Sequence, residues 1–100
     1  KMTIVEERNN NVLTLKIEGR LDTNTVPTLE ITINENLDGV TELMLDMNLL
    51  TYVSSAGLRV LLSSQKKMNK IGTMKLIGVC EEVMEVFEMT GFVDVLNIES

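Results

Sequence analysis

From Val12 to Glu18 apolar and polar residues alternate, with Leu13, Leu15 and Ile17 to one side and Thr14, Lys16 and Glu18 to the other. That period of two predicts a half-buried strand. Thr3–Glu6 predicts a shorter strand before it, and Asn9-Asn10-Asn11 supplies the turn chemistry of an antiparallel hairpin. Gly19 punctuates the pattern, and Arg20–Thr25 reads as a polar loop. Thr25 is placed to cap a helix with Pro27 in its first turn. Within that helix Val26, Leu29, Ile33 and Leu37 step by three, four and four residues, one apolar stripe. Asp38-Gly39 ends it.

Glu42–Asp46 holds the continuous apolar run Leu43-Met44-Leu45, of the kind buried in sheets. Met47–Val53 is read as an irregular continuation into a serine loop. A helix follows with Leu58, Leu61, Leu62 and Met68 on one face, and Lys66, Lys67 and Lys70 near its C-terminus, where cations suit the helix dipole. Gly72 is its natural stop. Thr73–Val79 predicts a buried strand. Glu81–Met89 predicts a short helix with Val83, Val86 and Phe87 inward, and Phe92–Ile98 a last strand. The order of elements is α/β: a mixed sheet of about five strands with three helices packed against it, in one domain over residues 1–100. Lys1 ahead of Met2 is expected to be a cloning remnant.

Charge and composition narrow the function. Fifteen acids against nine bases leave a net charge of −6, which argues against nucleic acid as a partner. No apolar run reaches the ~20 residues of a membrane span and no signal peptide opens the chain, so a cytoplasmic protein with no membrane partner is expected. The chain has no histidine, which excludes Ser-His-Asp and Cys-His catalysis and any zinc site that uses histidine. Cys80 stands alone, without a disulfide partner or a metal-binding cluster, and is expected to be buried and inert. No glycine-rich phosphate loop is present. An enzyme is not expected, nor a metal or cofactor.

The chemistry concentrates at Leu50–Leu62, where an apolar strand ending at Val53 gives way to Ser54-Ser55-Ala56-Gly57 and at once to a helical pattern. Either serine is suited to cap the helix, a role worth about 1 kcal/mol. The second is left over by that role. It lies beside unpaired N–H groups and the positive end of a helix dipole, where an added phosphate finds donors already in place.

Three stretches together resemble the STAS domain, and within it the bacterial anti-sigma-factor antagonists. They are Gly19-Arg20-Leu21-Asp22 followed by Thr25, then Leu50–Leu62, then Val86-Phe87-Glu88-Met89-Thr90-Gly91-Phe92. The resemblance implies a protein–protein switch. The unmodified antagonist binds an anti-sigma factor that is also a serine kinase and so frees a sigma factor. Phosphorylation expels it and a serine phosphatase resets it, with ATP belonging to the kinase. Aligned on Gly57-Leu58, the modified serine falls on Ser55, with Ser54 the runner-up. Ser54 stands where the family has aspartate and Ala56 where it has a second hydroxyl. Arg59 replaces the glycine of several antagonists and lies four residues from Ser55, within reach of a phosphate there. Asp22 matches the aspartate near the modified serine. The implied partner surface comprises Asp22, Thr25, Ser54, Ser55, Ala56, Gly57 and Arg59. The competing reading is an unphosphorylated STAS scaffold or ligand-sensing module of a transport or lipid-trafficking system. A hydrolase built on Ser55 fails for want of histidine.

Overall fold

The computed structural model describes residues 2–99. Strands β1 (Met2–Asn9) and β2 (Val12–Leu21) form the expected hairpin, antiparallel from Met2↔Gly19 to Asn9↔Val12. Asn10 turns it at φ 57°, a left-handed conformation that asparagine tolerates better than most residues. There follow α1 (Val26–Asn36), β3 (Glu42–Val53), α2 (Ser55–Ile71), β4 (Thr73–Ile77), α3 (Glu81–Thr90) and β5 (Ile98–Glu99). The sheet order is β1-β2-β3-β4-β5, and each neighbouring pair from β2 onward is parallel.

Successive parallel strands lie side by side in one direction, so each right-handed crossover carries its helix to the same face. Leu13, Leu15 and Ile17 of β2, Leu43, Leu45 and Met47 of β3, and Met74 and Leu76 of β4 are buried there. They share one core with Leu29, Ile33, Leu58, Leu61, Met68, Val83 and Phe87 of the helices. The opposite face of the sheet carries no helix. The run at Glu42–Asp46 is therefore buried on one face only: Leu43 and Leu45 are enclosed, while Met44 and Asp46 are half-buried.

Other expectations need correcting. Arg20 and Leu21 belong to β2 rather than to a loop, pairing with Tyr52 and Val53. Met47–Val53 is strand, because β3 absorbs its irregularity as register shifts opposite Lys16/Glu18 and Gly19/Arg20. The strand expected over Thr73–Val79 stops at Ile77, where Gly78 turns at φ 71°. Phe92–Asp94 forms a 3₁₀ turn closed by Val95 N–H to Phe92 O at 3.0 Å, leaving only Ile98 and Glu99 to pair with β4. Leu62 and Val86 are half-buried, and so is Cys80, whose thiol lies 3.5 Å from Leu50 O.

Gly72 ends α2 for a reason other than the expected one. Its φ of 168° is extended backbone open to any residue; what it lacks is room. A Cβ there would lie 1.8 Å from Thr41 O, the acceptor for Thr73 N–H at 2.9 Å. Gly72→Ala must push the start of β4 away from β3, an overpacking cost of about 3 kcal/mol. In a domain this size that lowers the melting temperature by roughly 12–24 °C. Gly91→Ala, at φ 79° but in open space, should cost only about 1 kcal/mol. Thermal melts of both variants check the order.

Candidate partner-binding site at the start of helix α2

The site is built at the carboxyl ends of the parallel strands β2 and β3. Ser54 N–H donates to Leu21 O at 2.9 Å, which ties the serine loop to the end of β2. Ser54 is extended (φ −88°, ψ 176°), and its Oγ accepts the Gly57 N–H at 3.2 Å. It is the N-cap, and its hydroxyl is committed. Ser55 is the first helical residue, exposed, and its hydroxyl makes no hydrogen bond among the described residues. The two serines are thus divided in role: one holds the helix, the other is presented. Gly57 is buried so closely that a Cβ would meet Leu21 Cγ, Leu21 O and Val53 Cγ1, each at 3.0 Å.

Asp22 follows Leu21 directly and closes a tight turn. Its Oδ1 accepts the N–H of Asn24 at 3.0 Å and of Thr25 at 3.1 Å. Burial works to raise its pKa, but the N–H groups of Thr25 and Asn24 and the Thr25 hydroxyl outweigh it, holding the carboxyl below its ordinary range. Arg20 Nε stands 3.8 Å from Asp22 Oδ2, and the Arg20 guanidinium is laid over the Tyr52 ring at 4.1 Å from its centroid. Thr25 precedes α1 as expected but does not cap it with its side chain. Its hydroxyl instead donates to Arg20 O and accepts from Asp22 N–H, both at 2.8 Å. Thr25 is a brace for the Asp22 turn.

Ala56 and Arg59 line a groove of about 460 Å³ between α1 and α2, with Val26, Val60, Leu62 and Ser63. Glu30 and Lys66 complete its lining and were missed in the sequence reading. The spacing 59, 63, 66 was the available signal for Lys66; Glu30 offered none before α1 was known to lie beside α2. No group of three or more His, Cys, Asp or Glu capable of holding a metal occurs among the described residues.

The sequence profile of the STAS domain matches residues 3–100. The chain belongs to the STAS domain family. STAS domains are non-catalytic scaffold or signalling modules. BtrV of Bordetella bronchiseptica, which bears the name of an anti-sigma factor antagonist, is 29% identical over 97% of this chain and 85% of its own. The anti-sigma-B factor antagonist of Staphylococcus aureus is 28% identical over 84% of this chain and 80% of its own. The fold is shared with the anti-sigma factor antagonist of Mycobacterium paratuberculosis (TM-score 0.88, 21% identity, 98% of this chain and 85% of that one). It is shared too with the phosphorylated form of SpoIIAA from Bacillus (TM-score 0.76, 17% identity, 98% and 92%). No helix among the described residues of this STAS domain is long and apolar enough to cross a membrane.

Ser54→Ala should cost about 1 kcal/mol through the lost cap. Ser55→Ala should stay within about 0.5 kcal/mol of the parent, as an exposed residue with no partner. Chemical denaturation separates them, and equal losses would contradict the division of roles. For Asp22, a folded pKa below the unfolded one (about 3.9) means a stabilising contribution that is complete above that value and lost as pH falls through the folded pKa. Asp22→Asn should therefore be less stable than the parent at neutral pH, with the gap closing from about pH 4 downward. Urea melts across that range measure it.

Proposed function

We propose that this STAS domain is an anti-sigma factor antagonist switched by phosphorylation of Ser55. The observation that carries the reading is the state of the two serines: Ser54 is occupied as the cap, while Ser55 is exposed and unbonded at the first turn of α2. The names of the relatives support the class of partner, an anti-sigma factor, and the SpoIIAA fold has been solved in a phosphorylated form. In this reading the anti-sigma factor is also the serine kinase, a phosphatase restores the free serine, and the cycle runs in the cytoplasm. The partner surface comprises Asp22, the loop Ser54–Gly57 and Arg59, with Thr25 supporting Asp22 from behind.

The switch works through local charge. A phosphoserine adds about −1.5 to −2 charges, and the dipole of α2 favours an anion there by roughly 0.3–1 kcal/mol. Asp22, beyond Leu21 on the adjoining strand end, opposes that gain, so refolding is not the mechanism. The phosphate instead puts bulk and charge onto a surface the partner must cover. A disruption of about 3 kcal/mol lowers affinity more than a hundredfold. With a cognate anti-sigma factor, phosphorylated Ser55 and Ser55→Asp should bind at least about a hundredfold more weakly than the parent. Ser55→Ala should bind as the parent does, and melting temperatures should stay near the parental value throughout. Calorimetric titration with mass mapping of the modified residue tests this. Equal affinity for all forms would defeat the switch and leave a constitutive STAS scaffold; modification that persists in Ser55→Ala and vanishes in Ser54→Ala would move the site to Ser54.

A further inference from the structure

Helix α2 carries Arg59, Lys66, Lys67 and Lys70 and no acid, in a chain whose net charge is −6. All four cations are exposed. Arg59, Lys66 and Lys70 recur at spacings of seven and four, so with Ser55 and Ser63 they form one stripe along the side facing away from Leu58, Leu61 and Met68. Lys67 stands at its flank and hydrogen-bonds Asn34 of α1. Ion pairs form elsewhere, at Lys16–Glu7, Arg20–Asp22, Lys75–Glu42 and Lys75–Glu99, yet among the described residues none of the α2 cations has a carboxylate within pairing distance. A protein rich in acids has left one helix basic and unpaired. The stripe begins at Ser55 and runs beside the groove whose apolar lining is Val26, Ala56, Val60 and Leu62 and whose charged rim is Arg59 and Lys66 on α2 and the single acid Glu30 on α1.

We propose that this stripe and groove are the docking track for an acidic amphipathic helix of the protein partner, its apolar side chains in the groove and its carboxylates over Arg59, Lys66 and Lys70. The proposal rests on the reading of the domain as an anti-sigma factor antagonist and adds the chemistry of what it binds. The twelve residues from Arg59 to Lys70 span about 17 Å, or three turns of a facing helix. A long polyanion fits worse. Glu81, Glu82, Glu85 and Glu88 on α3 and the overall negative charge repel nucleic acid, and no aromatic side chain lines the track for stacking. An anionic membrane would need large exposed apolar side chains beside the cations, and Leu62, the largest along the track, is half-buried. The track also gives phosphorylation a second effect. A phosphate on Ser55, four residues ahead of Arg59, brings about −2 charges to the head of the stripe and repels the partner carboxylate that Arg59 would otherwise receive.

Rim charges act mainly on the rate of association and on its salt dependence. The test is stopped-flow binding to the purified anti-sigma factor from the same genome, between about 0.05 and 0.3 M salt, where the screening length falls from roughly 14 to 6 Å. Lys66→Glu combined with Lys70→Glu should slow association at least about tenfold at low salt, flatten the salt dependence, and change dissociation less than about threefold. Both positions are exposed and unpaired, so the melting temperature should hold to within a few degrees. A double variant that associates at the parental rate with the parental salt dependence, while phosphorylated Ser55 still releases the partner, overturns the track and leaves the proposed function standing. A parent that does not bind the anti-sigma factor overturns the functional reading. The track is then decided by amide shifts on titration with a synthetic amphipathic helix of leucines at helical spacing and glutamates between them. Shifts along residues 55–70 that disappear in the double variant and with a lysine-substituted twin of the peptide support it. Shifts produced only by a DNA duplex or by phosphatidylglycerol vesicles, or none at all, overturn it.

Discussion

The candidate site depends on how closely the first turn of α2 is seated on the ends of β2 and β3. That seating requires Gly57, where a Cβ would come within 3.0 Å of Leu21 Cγ, Leu21 O and Val53 Cγ1. Leu21 is the hinge of the arrangement. Its carbonyl holds Ser54, its side chain packs under Gly57, and the next residue is Asp22. Bringing Leu21 and Val53 to the same face at the same level takes two corrections in register. β3 spends three residues opposite two of β2 at Asp46–Leu49 and two opposite one at Leu50–Tyr52, which carries burial from Met47 to Leu50 to Val53. Without those shifts Thr51, not Val53, would stand opposite Leu21, and the period-two pleat would turn Leu49 rather than Leu50 into the core. The position of the serine loop is therefore set by bulges several residues upstream of it.

The one-sided helical layer has a second consequence. With every crossover running the same way, the outer faces of α1, α2 and α3 lie together on one side of the molecule, and nothing in the core constrains their sign. They are strongly segregated: α2 has four bases and no acid, α3 has Glu81, Glu82, Glu85 and Glu88 and no base. The acids of α3 include two in its first turn, where they complement the helix dipole. The bases of α2 are not explained by the dipole alone, since Arg59 lies in the first half of the helix, where a cation gains nothing from it.

The alternating strand at β2, the asparagine hairpin, three helices and the α/β order were all legible from spacing, because each is a local pattern with one dominant period. The family was legible from three short stretches held at their separations. What was not legible depended on partners distant in sequence. The Leu43-Met44-Leu45 run gave no sign that helices would cover one face alone. The bulges in β3 showed in the sequence only as an irregular stretch ahead of the serine loop. Gly72 resembled a helix stop when its real constraint is Thr41, thirty-one residues earlier. Phe92–Ile98 has the composition of a strand, but the 3₁₀ turn consumes its first half. Thr25 was placed correctly and misread in function, since its hydroxyl had a nearer donor and acceptor at Asp22 and Arg20 than the end of α1 offered. At the site itself, Ser54 and Ser55 were indistinguishable by type; only the direction of one hydroxyl separated them.

That separation bears on the exchange of the family's aspartate for Ser54. A cap must accept a hydrogen bond, and serine and aspartate both do so. They differ in charge. An aspartate cap would place a full negative charge beside the first-turn N–H groups and already satisfy much of the helix dipole. Ser54 caps with a neutral oxygen, and the first turn of α2 contains no acid. The positive potential at Ser55 is therefore largely unspent, with Arg59 one turn further along the same stripe to add to it. Asp22 is the acid at the neighbouring strand end, and its carboxylate is already engaged by the N–H groups of Asn24 and Thr25 and by the approach of Arg20. A neutral cap at Ser54 thus preserves the fold of the loop while making the adjacent serine a better seat for an added anion than an acidic cap would.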